Sequence, residues 1–199
     1  MNWKWVKSVQ KVLRGKQNDA TVIILLGPTG SGRSSFINAA IGEDRLKCVG
    51  MPDNSLAPVT TDVESVHFMR GRKEYIFIDT PGLDLQENTA ELIDKAYKIA
   101  PKQADVLVYL HRLSDPRVTV RPEEYVRILK LLGGSGWPKR TIVATTMSAM
   151  VDEETATERE VQLRDNLLKN MIAGGTRLDR FFGTKEDAWR IVDMVINSE

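Results

Sequence analysis

Six consecutive residues, Thr21–Leu26 (TVIILL), are β-branched or aliphatic with no polar alternation, the pattern of a central parallel strand covered on both faces. A glycine-rich stretch follows, then a helical segment over Ser34–Ile41 that Gly42 ends. After a loop of about twenty residues broken by Gly50, Pro52, Asp53, Asn54 and Pro58, Val63–Met69 and Glu74–Ile78 predict a hairpin across the turn Gly71-Arg72-Lys73. Thr89–Ala100 predicts a helix stopped by Pro101, and Asp105–Leu110 the next buried strand. Pro122–Leu132 carries proline in its first turn and glycines at its end, as helices do. Thr141–Ala144 is another strand. From a cap at Asp152 a long helix runs to about Met171, with Val161, Leu168 and Ile172 on one face. Leu178–Phe182 predicts a short last strand, and Thr184–Asn197 a closing helix with Ala188, Ile191, Val192 and Val195 inward.

Strands alternating with helices predict a three-layer α/β fold, a mainly parallel six-stranded sheet with one antiparallel strand. Residues 1–18 stand apart as an amphipathic helix before a single domain over 19–199. Trp5, Val9 and Leu13 form its apolar stripe, Val6 and Val12 flank it, and Lys4, Lys7, Lys11, Arg14 and Lys16 make the other face. Two readings stay open for it: a lid packed on the domain, or contact with an anionic membrane surface.

Composition narrows the class. The 199 residues suit one domain with a sizeable core, and 42% apolar with 28% charged residues is ordinary for a globular protein. A net charge of +1 gives no reason to expect a nucleic-acid partner. A single cysteine, Cys48, rules out an internal disulfide, and with only His67 and His111 a structural zinc site is not expected. No apolar run approaches the roughly 18 residues of a membrane span. The expectation is a soluble, cytoplasmic protein. His67 is expected on a strand surface, His111 at the ligand edge of the sheet, and Trp137 and Trp189 in packing.

The chemistry sits in Gly27–Ser35, GPTGSGRSS. Gly27, four residues, then Gly32-Arg33-Ser34 matches the phosphate-binding pattern G-x-x-x-x-G-K-[ST], with arginine in place of lysine. Gly27, Gly30 and Gly32 let the backbone N–H groups of Thr29 through Ser35, Ser31 included, converge on an anion at a helix N-terminus. Arg33 supplies a cation, and the Ser34 hydroxyl suits Mg²⁺. Asp79-Thr80-Pro81-Gly82 ends the next strand: Asp79 can hold a metal-bound water, and the Gly82 N–H can touch a γ-phosphate. Alone, that tetrapeptide is a common turn; after a phosphate loop it completes a site. Gly27, Asp79, His111 and Thr145 all fall at the C-terminal strand edge, where ligands of such sheets bind.

Together these residues resemble a GTPase G domain from Thr21 onward. The DTPG followed by leucine looks most like the septin, immunity-associated and chloroplast-import group; HRLSDPR and ATTM are similar to uncharacterised fungal G-domain proteins. The resemblance implies GTP or GDP with Mg²⁺ as ligand. It implies Thr60 or its neighbour Thr61 as the switch threonine on the metal, and Thr145, Thr146 and Met147 as the base-side segment. Three departures bear on activity. Arg33 is planar and wide where lysine is a point charge. Leu83 stands where a water-orienting glutamine is found, with Gln86 offset. The base segment Thr145-Thr146-Met147-Ser148-Ala149 lacks the aspartate that reads guanine, the next carboxylate being Asp152. No catalytic residue is assigned; Arg33, Thr60 and Arg112 are the candidates, with Arg112 or Arg117 reaching a neighbour's phosphates across a homodimer formed on the nucleotide face. The expected function is a guanine-nucleotide switch or assembly module with slow or dimer-dependent hydrolysis. The alternatives are a pseudo-GTPase scaffold with relaxed base specificity and, more remotely, an ATP-using kinase.

Overall fold

The computed structural model describes residues 4–15, 19–46, 63–82, 103–115 and 122–197. Along the chain come α1 (Lys4–Gly15), β1 (Thr21–Leu26), α2 (Arg33–Ile41), β2 (Glu64–Arg70), β3 (Lys73–Asp79) and β4 (Val106–Arg112). Next are α3 (Pro122–Gly133), β5 (Thr141–Thr146), α4 (Glu153–Gln162), a π turn (Leu163–Leu167), α5 (Lys169–Ala173), β6 (Arg177–Arg180) and α6 (Lys185–Ile196). The predicted helix at 89–100 lies outside the described residues.

The strands form one sheet in the order β2-β3-β1-β4-β5-β6. All neighbours are parallel except β2, which pairs antiparallel with β3 through the tight turn at Gly71. β1 is buried at every position, as its unbroken apolar run predicts. It lies between β3 and β4, so the loop after it opens at the point where the chain winds to either side.

Alternation along the strands sends side chains to two cores. On one face Val22, Ile24 and Leu26 pack with α3 and with Leu163, Leu168 and Met171. On the other, Ile23 and Leu25 meet Phe36 and Ile37 of α2 and Ala188, Ile191 and Val192 of α6. Trp189 lies edge-on to Tyr75 and Phe77 in this second core, and its indole N–H donates to Ala40 O at 2.8 Å, so the ring is buried with its polar atom satisfied. Trp137 packs in the first core and His67 is exposed on β2, as expected.

α1 belongs to this body. Val9 and Leu13, at 0% and 1% exposure, are part of the first core beside Val22 and Ile24. Of the apolar stripe, the described residues Val9 and Leu13 are thus taken up by packing on the sheet, while the side chains of Trp5 and Val6 lie outside the described residues.

The long helix after Asp152 departs from the prediction. It breaks into α4, the π turn and α5, with Leu168 N bonded to Leu163 O across five residues. The extra residue rotates the side chains of α5 about the helix axis relative to those of α4. Val161 is therefore 40% exposed, while Leu163 and Met171 join Leu168 in the core.

Candidate nucleotide site

The loop from β1 to α2 lies at the C-terminal edge of the sheet. At Gly27 the space is closed: a Cβ there would lie 2.6 Å from both Leu110 O and Ser31 Oγ. Beneath it the Ser31 hydroxyl is fully buried and makes no hydrogen bond among the described residues. Gly32 caps α2 in the left-handed region, φ 93°, and no side chain caps the helix. The first turn's N–H groups are thus presented as an anion site is built. Ser35 is exposed on that turn, and Ser34 half-buried beside it.

Two elements converge beneath the loop. Ser34 Oγ donates to Asp79 Oδ2 at 2.6 Å, and Asp79 is 1% exposed. Thr80 holds the strand end by donating its hydroxyl to Leu25 O at 2.7 Å. Gly82 rests against Thr29 so closely that a Cβ would come within 2.9 Å of Thr29 Cα, so the aspartate turn and the phosphate loop form one wall. A hydroxyl and a buried carboxylate are the hard oxygen donors Mg²⁺ takes, and Mg²⁺ uses one or two such groups with the phosphates supplying others. Ser34 and Asp79 fit that ion; Thr60, the third expected ligand, lies outside the described residues, as do Thr61, Leu83, Gln86 and Arg117.

Arg33 is turned inward. Its Nη1 donates to Gly27 O at 2.6 Å, its Nε lies 3.7 Å from Asp79 Oδ1, and only 6% of it is exposed. The guanidinium ties the first residue of the loop to the aspartate. Arg112 lies over the same loop, its Nη1 3.1 Å from where a Cβ of Gly30 would sit, and pairs with Asp115 at 2.7 Å. Its neighbour His111 points the other way, because adjacent strand residues face opposite sides. His111 stands near the C-terminal end of β4, as expected, but it lines a cavity between α3 and α4, away from the phosphate loop, where desolvation lowers its pKa.

The base-side segment is held by its threonines. Thr146 donates to Ser31 O at 3.1 Å, so β5 braces the phosphate loop directly. Thr145 donates to Glu160 Oε1 at 2.5 Å, and Glu160 is gripped by Arg180 through Nε and Nη2 at 3.0 and 2.8 Å. Arg180 also forks to Glu153. Burial raises the Glu160 pKa, but the bonds from Arg180 and Thr145 outweigh it and hold the carboxyl below its ordinary value. Glu160 and Arg180 have no local motif, and nothing in the chain order announces them. Met147, at φ 57°, is the one non-glycine residue with positive φ among the described residues, and its sulfur receives the Ser114 hydroxyl at 3.6 Å. Ala149 lies exposed on the following turn, and Asp152 caps α4 by accepting from Thr155 N at 2.7 Å. Asp152 is thereby engaged in capping rather than turned toward a base.

A glycine loop at a helix N-terminus, an aspartate turn packed on it and a threonine strand bracing it define a P-loop G domain. Residues 22–147 match the family described as 50S ribosome-binding GTPase, and the chain belongs to that GTPase family. It is 30% identical over 168 residues to Translocase of chloroplast 33 of Arabidopsis thaliana, covering 81% of this chain and 54% of that protein. It thus spans about half of that relative's length, and a smaller share of others: 17% of a GTPase Der from Moorella thermoacetica, 32% identical over 78 residues, 39% of this chain. Among solved structures, Toc33 from Arabidopsis thaliana in complex with Mg²⁺ and GMPPNP superposes with a TM-score of 0.63 at 20% identity, over 98% of this chain and 92% of that one. A structure of atToc33 and psToc159, described as showing that dimerisation is important for their GTPase activity, has a TM-score of 0.61 at 20% identity, over 98% and 88%. These superpositions establish the shared fold, including its antiparallel strand.

Proposed function

We propose that this G domain binds GTP and GDP with Mg²⁺, hydrolyses GTP slowly, and is accelerated when a second copy docks across the nucleotide face. The 2.6 Å bond between Ser34 Oγ and Asp79 Oδ2 carries the reading, because it joins two metal-type oxygens from separate elements beneath an anion-binding loop. Mg²⁺, when bound, neutralises charge on the phosphates. Ser34 and Asp79 would hold it, and the Gly27–Ser35 backbone would grip the phosphates. Thr146 keeps that backbone in place from β5. The Mg²⁺ and GMPPNP complex of Toc33 and the dimer-dependent activity of atToc33 and psToc159 support the ligand and the second copy. The narrower kinship to septin, immunity-associated and fungal G-domain proteins rests on DTPG with its leucine and on the HRLSDPR and ATTM segments.

The test is to identify co-purifying nucleotide and then follow phosphate release from GTP against protein concentration. GDP or GTP in the preparation, and a specific rate that climbs with concentration, are expected. A nucleotide-free protein whose melting temperature does not respond to GTP, GDP or ATP would overturn the reading.

A further inference from the structure

A cavity of about 920 Å³ lies between α3 and the α4–π–α5 rod, on the opposite face of the sheet from α2. None of its lining residues belongs to the phosphate loop or the aspartate turn. Its volume is in the range of about 300–1,000 Å³ that small-molecule sites occupy. Its floor is apolar: Trp137, Leu163 and Met171, all core residues, with Leu167 beside them. Its walls are polar in an ordered way. Gln162, Asn166 and Asn170 come from one side of the rod, and the π turn that re-aims the rod lies among them. π turns of this kind recur at functional sites.

The charges at the cavity are of unequal sign. Arg127 and Lys130 stand on α3, and Arg159 enters from α4, where it donates to Leu113 O. Asp115 is the one carboxylate lining the cavity among the described residues, and it is paired with Arg112. His111 also lines the cavity, half-buried, with desolvation lowering its pKa. No hydrogen bond or ion pair to another described residue engages the side chains of Arg127, Lys130, Gln162, Asn166 or Asn170. Exposed side chains meet water at little cost. Here, though, two cations and three amides line the same concavity above an apolar floor.

We propose that this cavity is a second ligand site, separate from the nucleotide loop, for a small organic anion with an apolar body. The carboxylate or similar head group is received by Arg127 and Lys130 with the amides, and the apolar body lies on Trp137, Leu163 and Met171. A planar guanidinium beside an ammonium suits a carboxylate by charge-assisted bonds. Apolar floor and polar rim together select an amphiphile over a plain inorganic anion.

Octanoate and octanol, equal in chain length and differing in charge, are the probes, titrated by calorimetry against the protein saturated with GDP and Mg²⁺. Octanoate is expected to bind one to one, with octanol about tenfold or more weaker. Arg127→Glu and Lys130→Glu, both on exposed positions of α3, are each expected to weaken octanoate about tenfold while GDP affinity stays unchanged. Equal binding of the two probes would reduce the cavity to an apolar void and overturn the proposal. Octanoate binding that survives both charge reversals, or that appears only when GDP is absent, would overturn it as well, the latter by placing the probe in the nucleotide site.

Discussion

At the scale of single residues, the departures from a standard G domain become physical facts about side chains. Arg33 serves the loop itself, bonding Gly27 O and standing beside Asp79. A lysine has no planar fork for that carbonyl and carries a compact charge that extends past the loop. Arg33→Lys is therefore expected to raise nucleotide affinity or the rate of phosphate release; if neither changes, arginine is a full replacement. The base segment gives a second prediction. Thr146, braced on Ser31 O, marks the start of the recognition tetrapeptide, so Ala149 stands where the guanine-reading aspartate belongs. Affinity for GTP is expected to exceed that for ATP only weakly, and Ala149→Asp is expected to widen the ratio about tenfold or more, since a hydrogen bond to a charged group contributes about 1.5–3 kcal/mol. Competition with a fluorescent guanine nucleotide measures both ratios, and an unchanged ratio in the variant would show that the carboxylate does not reach the base.

At the scale of elements, β5 and α4 are joined by a clamp that spans distant parts of the chain. Thr145 and Arg180 share the Glu160 carboxylate, and Arg180 extends to Glu153 at the start of α4. Removing the Glu160 charge leaves the half-buried Arg180 without its main partner, so Glu160→Gln is expected to lower the melting temperature at neutral pH. The depressed carboxyl pKa sets the sign of the pH effect. A group whose folded pKa lies below its unfolded value stabilises fully above the unfolded value, about 4.3 for glutamate, and the contribution fades as pH falls through the folded one. The difference in melting temperature between wild type and Glu160→Gln is thus expected to close as pH falls through and below about 4.3. A constant gap would show that the carboxylate's ionisation does not matter. The boundaries of most elements were legible from hydrophobic runs and their glycine or proline ends. The π turn was not, because a single added residue leaves an apolar pattern that still reads as one helix, and only the Leu168 N to Leu163 O bond exposes the shift.

At the scale of the whole molecule, the placement of Arg112 bears on how a dimer would work. It overlies its own loop at Gly30 and is fastened to Asp115, which favours action on its own nucleotide over a reach into a neighbour's site. Arg112→Ala is expected to lower GTP hydrolysis by a similar factor at low and high protein concentration. A loss confined to high concentration would restore the reading of an arginine offered across the dimer.

The order of the described strands, the phosphate loop and the aspartate turn were determined by sequence alone. Each depends on residues within a few positions of one another: a glycine that must adopt a left-handed backbone, a hydroxyl in the first turn of a helix, a carboxylate at the end of an apolar strand. Tertiary structure decided the rest. It sent His111 and Arg112 to opposite faces, brought Glu160 and Arg180 together from separate elements, turned Arg33 back onto Gly27, and opened a cavity between two helices. The clamp and the cavity depend on contacts between residues far apart in the chain, and for the other two the packing on each face of the sheet decides what a side chain meets.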